Sequence, residues 1–234
     1  MLTNSEIKRI KSLKDKKFRD EYGQFAVEGE KLVSEALHSR FKVLAVYRSD
    51  EIGVENMARM SQLSTPSPVL AVVEKPAPRS LVLERGLYLG LDSVRDPGNM
   101  GTILRLADWF GITTVFASQD CVELYNPKVV RSSMGSVFRV SVVSCDLEDI
   151  CRRFRAKDMP VYGTFLDGEI IYSEKLAEEG LIVMGNESNG VSREVAAQVS
   201  TRLFIPSFAG TRQTAESLNV AAATAIVLSE FKRR

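Results

Sequence analysis

Three loops rich in glycine and polar side chains hold most of the residue types in this chain that could do chemistry. They read RDPGNMG at 95–101, GNESNG at 185–190 and PSFAGTRQTAESLN at 206–219. Each follows an apolar run that we predict to be a strand, and open parallel sheets bind ligands at the carboxyl ends of their strands. None matches the GxGxxG dinucleotide fingerprint or the GxxxxGK[ST] phosphate loop. The loops therefore predict a binding site built differently from either nucleotide motif.

The scarcity of histidine and the spacing of cysteine exclude several other chemistries. His38 is the only histidine, and its place in EALHSR predicts an exposed helix end, which excludes a His-based triad or a His-rich metal site. Cys121, Cys145 and Cys151 lack CxxC spacing, so they predict neither a disulfide framework nor a zinc site. We expect them to be small buried hydrophobic side chains, and we expect no bound metal.

The composition, with 44% hydrophobic and 26% charged residues among 234, is that of an ordinary globular protein. No stretch approaches the roughly 20 apolar residues of a membrane span, and no apolar run follows the basic residues at the start. We therefore expect a cytoplasmic protein without membrane contact. The net charge is only +1, but seven basic side chains crowd the first twenty residues. This crowding fits either RNA binding or a solvated helix face.

The first 75 residues alternate between helix and strand in their hydrophobic pattern. We predict helices at about 5–20, 30–38 and 54–62, and strands at 25–27, 43–47 and 69–73. They predict a small α/β domain over 1–75. Pro76 and Pro78 favour an extended connection, so we place a linker at 76–82 and a second domain at 83–234. The alternative is a surface loop within a single domain.

The remainder of the chain consists of near-continuous apolar runs separated by helical patterns. The predicted strands are 87–91, 113–116, 161–164, 181–184 and 202–205, and the predicted helices are 102–110, 147–157, 193–199 and 218–231. Apolar strands of this kind are typical of a parallel sheet that is covered by helices on both faces. The fold class is therefore α/β.

Taken in order, the three loops belong to longer motifs. These are 99–107, which contains Arg105, then 182–192, and finally 205–206 followed by 217–220. They resemble the motifs of the SpoU-type (TrmH-like) RNA 2′-O-ribose methyltransferases of the SPOUT superfamily. The stretch 126–135 resembles the family's connecting segment. The run 14–29, with its FAVEG, resembles the family's ribosomal-L30e-like substrate-binding domain.

The resemblance, which covers most of the chain, implies a fold, an activity and an assembly. The fold is a C-terminal SPOUT domain with a parallel sheet and a deep trefoil knot, an exception to the rule that chains do not thread loops, preceded by the small L30e-like α/β domain. The activity is transfer of a methyl group from S-adenosylmethionine to a ribose 2′-oxygen of RNA. The assembly is a homodimer in which Arg105 of one subunit serves the cofactor pocket of the other.

Six residues fall on or beside the family's cofactor-binding positions. They are Gly185, Ile205 and Leu218, with Thr164, Met184 and Ser217 as their neighbours. A glycine allows the main chain to approach a ligand, and two aliphatic side chains are suited to flank an adenine while backbone amides bind its edge. The alternative for the aliphatic pair is ordinary core packing.

Arg105 is the candidate for chemistry on the ribose. The apolar residues of its predicted helix form a stripe, and Arg105 points almost opposite the centre of that stripe. The resemblance implicates this arginine in activating the ribose hydroxyl. Because a guanidinium stays protonated in proteins, we hypothesise that it clamps the phosphate beside the target ribose, while the phosphate or a water accepts the proton. The alternative is a solvated arginine near Asp108.

Asn99, Glu187 and Asn219 are predicted to position the reacting groups through hydrogen bonds. The alternative roles are those of turns and caps, with Asn99 capping the helix of Arg105 and Ser217 capping the last helix. One residue departs from the pattern, because many relatives have serine where this chain has Ala221. The departure leaves open whether the lost hydroxyl bears on activity or only on packing.

The predicted RNA contacts are basic side chains, namely Lys14, Lys16, Lys17, Arg19 and Arg131. We expect ribosomal RNA rather than transfer RNA as the substrate, because an L30e-like module is suited to bends and loops. Two other classes remain open. Base methylation at a pyrimidine carbon requires a cysteine nucleophile, and none lies in a motif loop. A non-catalytic RNA-binding dimer fits the basic N-terminus equally well.

Overall fold

The computed structural model of this chain describes residues 2–77, 83–210 and 215–233. Its contacts divide the chain into two compact units. The first comprises Met1–Pro78 and Glu123–Arg139, and the second comprises Arg79–Val122 and Val140–Arg234. We predicted 83–234 as one continuous domain, whereas the structure packs Glu123–Arg139 with the first unit. The predicted linker at 76–82 lies mostly outside the described residues.

The first unit has a three-stranded antiparallel sheet whose two faces are both covered. Its strands are β1 Gln24–Glu28, β2 Val43–Arg48 and β3 Val69–Glu74, in the order β1-β3-β2. Numbered along the whole chain, its helices are α1 Asn4–Ser12, α2 Lys16–Tyr22, α3 Glu30–Leu37, α4 Ser49–Ile52, α5 Val54–Met60 and α7 Pro127–Ser132. Successive side chains of a strand point to opposite faces. Residues of β3 therefore alternate between a core with α3 and α7 and a core with α1 and α5.

The predicted helix at 5–20 is two helices, α1 and α2, with a turn between them. The side chain of Leu13 is fully buried at this turn. The guanidinium of Arg19 donates hydrogen bonds to the carbonyls of Leu13 and Lys14 at 2.8 and 2.7 Å. The carbonyl of Leu13, the C-cap residue of α1, is one that the end of a helix leaves without an intrahelical partner, and that of Lys14 lies in the turn. Arg19 thus stabilises a helix end that the hydrophobic pattern did not reveal.

The second unit is built on a six-stranded sheet in which every neighbouring pair is parallel. Its strands are β4 Leu87–Leu91, β5 Thr114–Ser118, β6 Ser141–Cys145, β7 Val161–Ile170, β8 Gly180–Met184 and β9 Thr201–Phe204, in the order β6-β5-β4-β8-β7-β9. Its helices are α6 Pro97–Trp109, α8 Leu147–Arg155, α9 Arg193–Ala196 and α10 Val220–Arg233. The predicted α/β class with a parallel sheet is confirmed, and the trefoil knot stays a prediction.

Besides the short helical turns Ser49–Ile52 and Ser136–Phe138, two elements were missing from the sequence prediction, and one strand is longer than predicted. β6 lies at the edge of the sheet, and its half-exposed residues lack a continuous apolar run. α7 opens with Pro127 behind the capping side chain of Asn126, an arrangement that suits a helix start. β7 runs to Ile170 because the register shift between Thr164 and Glu169 lets the chain pair with β9 again.

Two helices of the second unit, α6 and α10, pack against each other and carry motif residues at their starts. None of the helices in the described part of the chain combines the length and the apolar character needed to cross a membrane. Within residues 2–77, 83–210 and 215–233, no three His, Cys, Asp or Glu side chains are grouped so that they could hold a metal ion.

Candidate functional site

The first turn of α6 fixes the position of Asn99. Asp96 is the N-cap residue, and its side chain accepts a hydrogen bond from the Asn99 N–H at 2.8 Å. Pro97 occupies the first helical position, where its fixed φ and missing N–H are tolerated. The alternative role of Asn99 as the helix cap is therefore wrong. Because Asp96 caps the helix, the side chain of Asn99 is left to make a tertiary contact.

A chain of side-chain hydrogen bonds joins the three sequence motifs. The Nδ2 of Asn99 donates to Oε1 of Glu187 at 2.6 Å, and the Nδ2 of Asn219 donates to Oδ1 of Asn99 at 2.9 Å. Asn219 also caps α10, because its Oδ1 accepts from the N–H groups of Ala221 and Ala222 at 3.0 and 3.3 Å. We call this the Asn219–Asn99–Glu187 relay. It connects the starts of α6 and α10 with the loop after β8.

The loop after β8 folds back on itself directly behind Gly185. Asn186 and Gly190 exchange two backbone hydrogen bonds, each of 2.9 Å. A Cβ at Gly185 would lie 2.3 Å from the carbonyl carbon of Gly190 and 2.4 Å from the nitrogen of Val191. The closure of the loop therefore requires the glycine. This reason differs from the one that the sequence suggested, which was close approach of the main chain to a ligand.

Two side chains that anchor this loop were missed at the level of sequence. Asp92 follows β4 and is 4% exposed, and its Oδ2 accepts from the N–H of Ser192 at 2.7 Å. The Nδ2 of Asn186 donates to the carbonyl of Ser93 at 2.8 Å. Both bonds hold the loop after β8 against the end of β4, its neighbour in the sheet. The signal for Asp92 was an acidic residue directly behind an apolar strand.

Thr164, Met184 and Gly185 come together where β7 and β8 run side by side. Gly163 pairs with Val183 across the two strands. The Oγ1 of Thr164 donates to the carbonyl of Val183 at 3.3 Å and lies 3.9 Å from the Sδ of Met184. The side chain of Met184 is buried. These three predicted cofactor positions therefore share the carboxyl end of β8.

The other predicted cofactor positions lie in the segment that connects β9 with α10. Ile205 directly follows β9 and is half-buried, and Ser217 is exposed. Leu218 is 49% exposed, so the alternative that it is a core residue is wrong. Ser217 does not cap α10, because Asn219 does. Residues 211–214 of this segment lie outside the described residues.

Arg105 projects into solvent from the outward face of α6, as predicted. The side chains that α6 buries, which include Met100, Ile103 and Ala107, lie on the opposite side. Within the described part of the chain, the guanidinium of Arg105 makes no hydrogen bond or ion pair. Its donors are therefore available to an external acceptor such as a phosphate.

Arg19 is not available to RNA, and we correct its predicted role. The residue is 2% exposed. Its Nε donates to Oε2 of Glu123 at 3.0 Å, and its remaining donors bind the same carboxylate and the carbonyls of Leu13 and Lys14. A guanidinium with these partners is part of the core of the first unit. Sequence position among other basic residues gave no sign of this burial.

The other predicted RNA contacts are exposed, and one of them lines a basic cleft in the first unit. Lys14, Lys16, Lys17 and Arg131 all lie at the surface. A cavity of about 400 Å³ has four basic side chains and one carboxylate in its lining. These side chains are Lys8, Lys11, Lys14, Arg59 and Asp15. The four cations form no ion pair with any described residue, so the cleft suits an anionic ligand.

The three cysteines are poor nucleophiles. Burial raises the pKa of Cys145 to about 11 and that of Cys151 to about 12, and it raises the pKa of Cys121 as well. The thiolate is the reactive form of cysteine, and thiols with these pKa values are almost entirely protonated at neutral pH. None of them suits the nucleophilic role that methylation at a pyrimidine carbon requires.

Known proteins match this chain along both units. Residues 86–229 match the family model described as SpoU rRNA Methylase family, and residues 4–76 match the MRM3-like substrate binding domain. The 23S rRNA (guanosine(2553)-2′-O)-methyltransferase RlmP of Bacillus subtilis is 31% identical in an alignment that covers 98% of this chain and 96% of that protein.

Solved structures agree with the sequence matches. A TrmH-family protein from Porphyromonas gingivalis has a TM-score of 0.89 at 39% identity, covering 100% of this chain and 99% of that one. An rRNA methyltransferase from Sinorhizobium meliloti, solved with bound S-adenosylmethionine, has a TM-score of 0.85 at 31% identity and covers 100% of this chain and 96% of that one. The motifs that the relay joins lie within the matched residues, and the chain belongs to the SpoU rRNA methylase family.

Proposed function

We propose that this protein transfers a methyl group from S-adenosylmethionine to a ribose 2′-oxygen of ribosomal RNA. The observation that carries the proposal is the Asn219–Asn99–Glu187 relay, because it joins three motifs that are far apart in sequence into one site. The site lies at the carboxyl end of a parallel sheet, where such folds bind their ligands. The named activities of the relatives are of the same kind.

The residues around the carboxyl ends of β8 and β9 fit S-adenosylmethionine. Leu218 exposes about half of its aliphatic side chain beside Asn219 of the relay, and Ile205, directly after β9, is half-buried. Two such surfaces suit an adenine ring, whose edge is left to backbone amides. When bound, the sulfonium supplies an electrophilic methyl group. The protein's task is then to orient the hydroxyl in line with that group.

We assign Arg105 to the phosphate beside the target ribose. Its guanidinium is exposed and without a partner among the described residues, and arginine binds a phosphate through two parallel hydrogen bonds. The hydroxyl proton passes to that phosphate or to a water, since the guanidinium stays protonated. Asn99, Glu187 and Asn219 position the ribose. Glu187 keeps acceptor capacity beyond its bond from Asn99 and receives a hydrogen bond from a ribose hydroxyl.

Ribosomal RNA is the substrate that the first unit favours. The relative from Bacillus subtilis is named for 23S rRNA, and residues 4–76 match a substrate binding domain. The basic cleft between α1 and α5 supports phosphate binding by this unit, because its lining has four cationic side chains and only one carboxylate. Lys14 belongs to the cleft, whereas Lys16 is paired with Asp20. Lys16, Lys17 and Arg131 are secondary contacts in this proposal.

The protein is also proposed to form a homodimer in which Arg105 serves the pocket of the second subunit. A set of exposed apolar side chains in the second unit supports the dimer. Two of them lie in the second half of β7, one follows β7, and one lies in the segment after β9. They are Leu166, Ile170, Tyr172 and Phe208. Exposed apolar patches typically mark a partner contact. Sedimentation velocity is expected to show a dimer, and a monomer with full methyl-transfer activity would contradict the proposal.

Methyl transfer to purified RNA tests the function directly. The protein is incubated with labelled S-adenosylmethionine and either ribosomal or transfer RNA, and the RNA is then digested to nucleosides. Label on a 2′-O-methylated nucleoside of ribosomal RNA is expected. Label on transfer RNA would mean that the substrate is transfer RNA, and label on a base would mean that the reaction is base methylation. A folded sample that neither binds the cofactor nor transfers label would indicate a non-catalytic RNA-binding protein.

Arg105→Lys tests the phosphate clamp, because it keeps the charge and removes the bidentate geometry. We expect kcat to fall about 10- to 100-fold, the range for losing a hydrogen bond to a charged group. Binding of S-adenosylmethionine, measured by calorimetry, should not change. Arg152→Lys is the control, since Arg152 is an exposed arginine of α8. Full activity in Arg105→Lys would refute the clamp.

A further inference from the structure

Trp109 is the only tryptophan of the chain, and it is 85% exposed. It is the last residue of α6. Burial of an indole removes more apolar surface from water than burial of most other side chains, and a tryptophan is therefore rarely left in solvent without a partner. All of α6 lies in the described part of the chain, and no other large hydrophobic side chain of this helix is exposed to a similar extent.

Trp109 shares the outward face of α6 with Arg105. The two residues are four positions apart, which places them one helical turn from each other, about 5 to 6 Å between their Cβ atoms. The buried side chains Met100, Ile103 and Ala107 point to the other side of the helix. α6 therefore presents an indole and a guanidinium side by side to the solvent. Neither side chain has a hydrogen bond or ion pair to another described residue.

This pair matches the chemistry of a nucleotide in a single strand. Unpaired bases of RNA stack on aromatic side chains, and the phosphate next to them binds arginine. An apolar protein interface fits the pair less well, because a lone indole beside a charge is not a contiguous apolar patch. The exposed rings of Tyr172 and Phe208, in the set of apolar side chains assigned to the dimer, stack on each other with centroids 6.5 Å apart.

We infer that Trp109 is a stacking platform for an unpaired base of the RNA substrate, next to the phosphate that Arg105 holds. The inference rests on the proposed function, in which Arg105 binds a phosphate of the RNA. It adds a requirement, namely that the RNA is unpaired beside the methylated ribose. Trp109 is a positioning residue in this role, since it touches a base and none of the reacting atoms.

Excited at a wavelength where the six tyrosines do not absorb, the fluorescence of the protein reports on Trp109 alone, because there is no second tryptophan. The full chain is titrated with a short single-stranded RNA of mixed sequence, and with the same strand annealed to its complement. We expect strong quenching by the single strand and weak quenching by the duplex. A different result is possible: the emission is already blue-shifted without RNA, it shifts to the red when the protein is diluted, and it does not change when RNA is added. This combination would show that a second copy of the chain covers the indole. That result would overturn the inference.

Two variants separate stacking from apolar contact. Trp109→Phe keeps an aromatic ring, and Trp109→Leu keeps apolar volume without one. We expect Trp109→Leu to weaken single-strand binding about 5- to 100-fold, as loss of a base–aromatic contact does, and Trp109→Phe to lose clearly less. In methyl transfer, KM for the RNA should rise more than kcat falls. Equal RNA binding by the two variants would overturn the inference.

The proposed function and this inference fail in different ways. If the unchanged protein methylates ribosomal RNA but its fluorescence does not respond to RNA, only the role of Trp109 is wrong. If single-stranded RNA quenches the fluorescence but no methyl group is transferred, the stacking platform stands and the activity is wrong. Circular dichroism of both variants confirms that the exposed substitution leaves the fold intact.

Discussion

Gly185 and Gly190 lie in one loop, and they are glycines for different reasons. Gly190 has a φ of +68°, a conformation that costs other residues about 1–2 kcal/mol, but no described atom lies within 4 Å of a Cβ built there. At Gly185 a Cβ would lie 2.3 Å from the carbonyl carbon of Gly190. A backbone atom cannot rotate away as a side chain can. The loop therefore tolerates a methyl group far less well at Gly185.

This difference predicts the relative stability of two alanine variants. Gly190→Ala should lower the free energy of unfolding by about 1–2 kcal/mol, and Gly185→Ala should lower it by more, because backbone must move. Urea unfolding followed by circular dichroism measures both values. If both variants lost the same free energy of unfolding, the loop would open easily, and close packing would not be the reason for the glycine at position 185.

The start of α10 combines a helix cap with a link to α6. The Oδ1 of Asn219 accepts from the backbone of Ala221, while its Nδ2 donates to Asn99. The helix N-terminus is thus satisfied without a hydroxyl at position 221. Ala221 is 5% exposed, so its methyl group packs inside the protein.

Two variants of Asn219 separate the cap from the link. Asn219→Ala should lower the free energy of unfolding by about 1 kcal/mol. Asn219→Asp should keep that stability, because a carboxylate also caps a helix and interacts well with its N-terminus. It removes the Nδ2 donor to Asn99, however, so we expect about tenfold slower methyl transfer. Unfolding curves and single-turnover assays measure the two effects. Full activity in Asn219→Asp would remove the relay from the mechanism.

The first unit of the molecule depends on a segment that is distant in sequence. Glu123–Arg139 belongs to this unit. The ring of Tyr125 stacks on Phe25 with centroids 4.5 Å apart, and Val130 joins the same core. The buried guanidinium of Arg19 binds Glu123 at the start of the segment. The core of the first unit is therefore formed in part by Glu123–Arg139.

Arg19→Met should unfold the first unit at a much lower concentration of urea. The substitution leaves the largely buried carboxylate of Glu123 without its main partner, and breaking such a pair costs about 3 kcal/mol or more. Lys16→Met is the control, because Lys16 and Asp20 form an exposed pair that is worth about 0.5 kcal/mol or less. Under conditions where both variants are folded, RNA affinity should not change in Arg19→Met. Lys14→Met, which removes a cation of the basic cleft, serves as the comparison. If Arg19→Met lowered the RNA affinity as much as Lys14→Met, Arg19 would again be an RNA contact.

The fold class and the direction of Arg105 were predictable from the order of residues, since both depend on local periodicity. Apolar runs bounded by helical patterns predicted the parallel sheet, and the turn angle of a helix placed Arg105 opposite the buried stripe. The position of the three loops, each behind a predicted strand, placed the candidate site at the carboxyl ends of the strands. The edge strand β6 and the helix α7 were missed, because neither has a strong hydrophobic pattern.

The contacts between polar residues could not be predicted in this way. The bonds of the relay join residues 88 and 120 positions apart, and no local pattern encodes such pairs. Arg19 is buried because Glu123, which is 104 positions away, accepts its hydrogen bonds. From sequence it is one basic residue among seven in the first twenty. Local periodicity determines where a side chain points, but its function depends on the chain segment that folding brings opposite it.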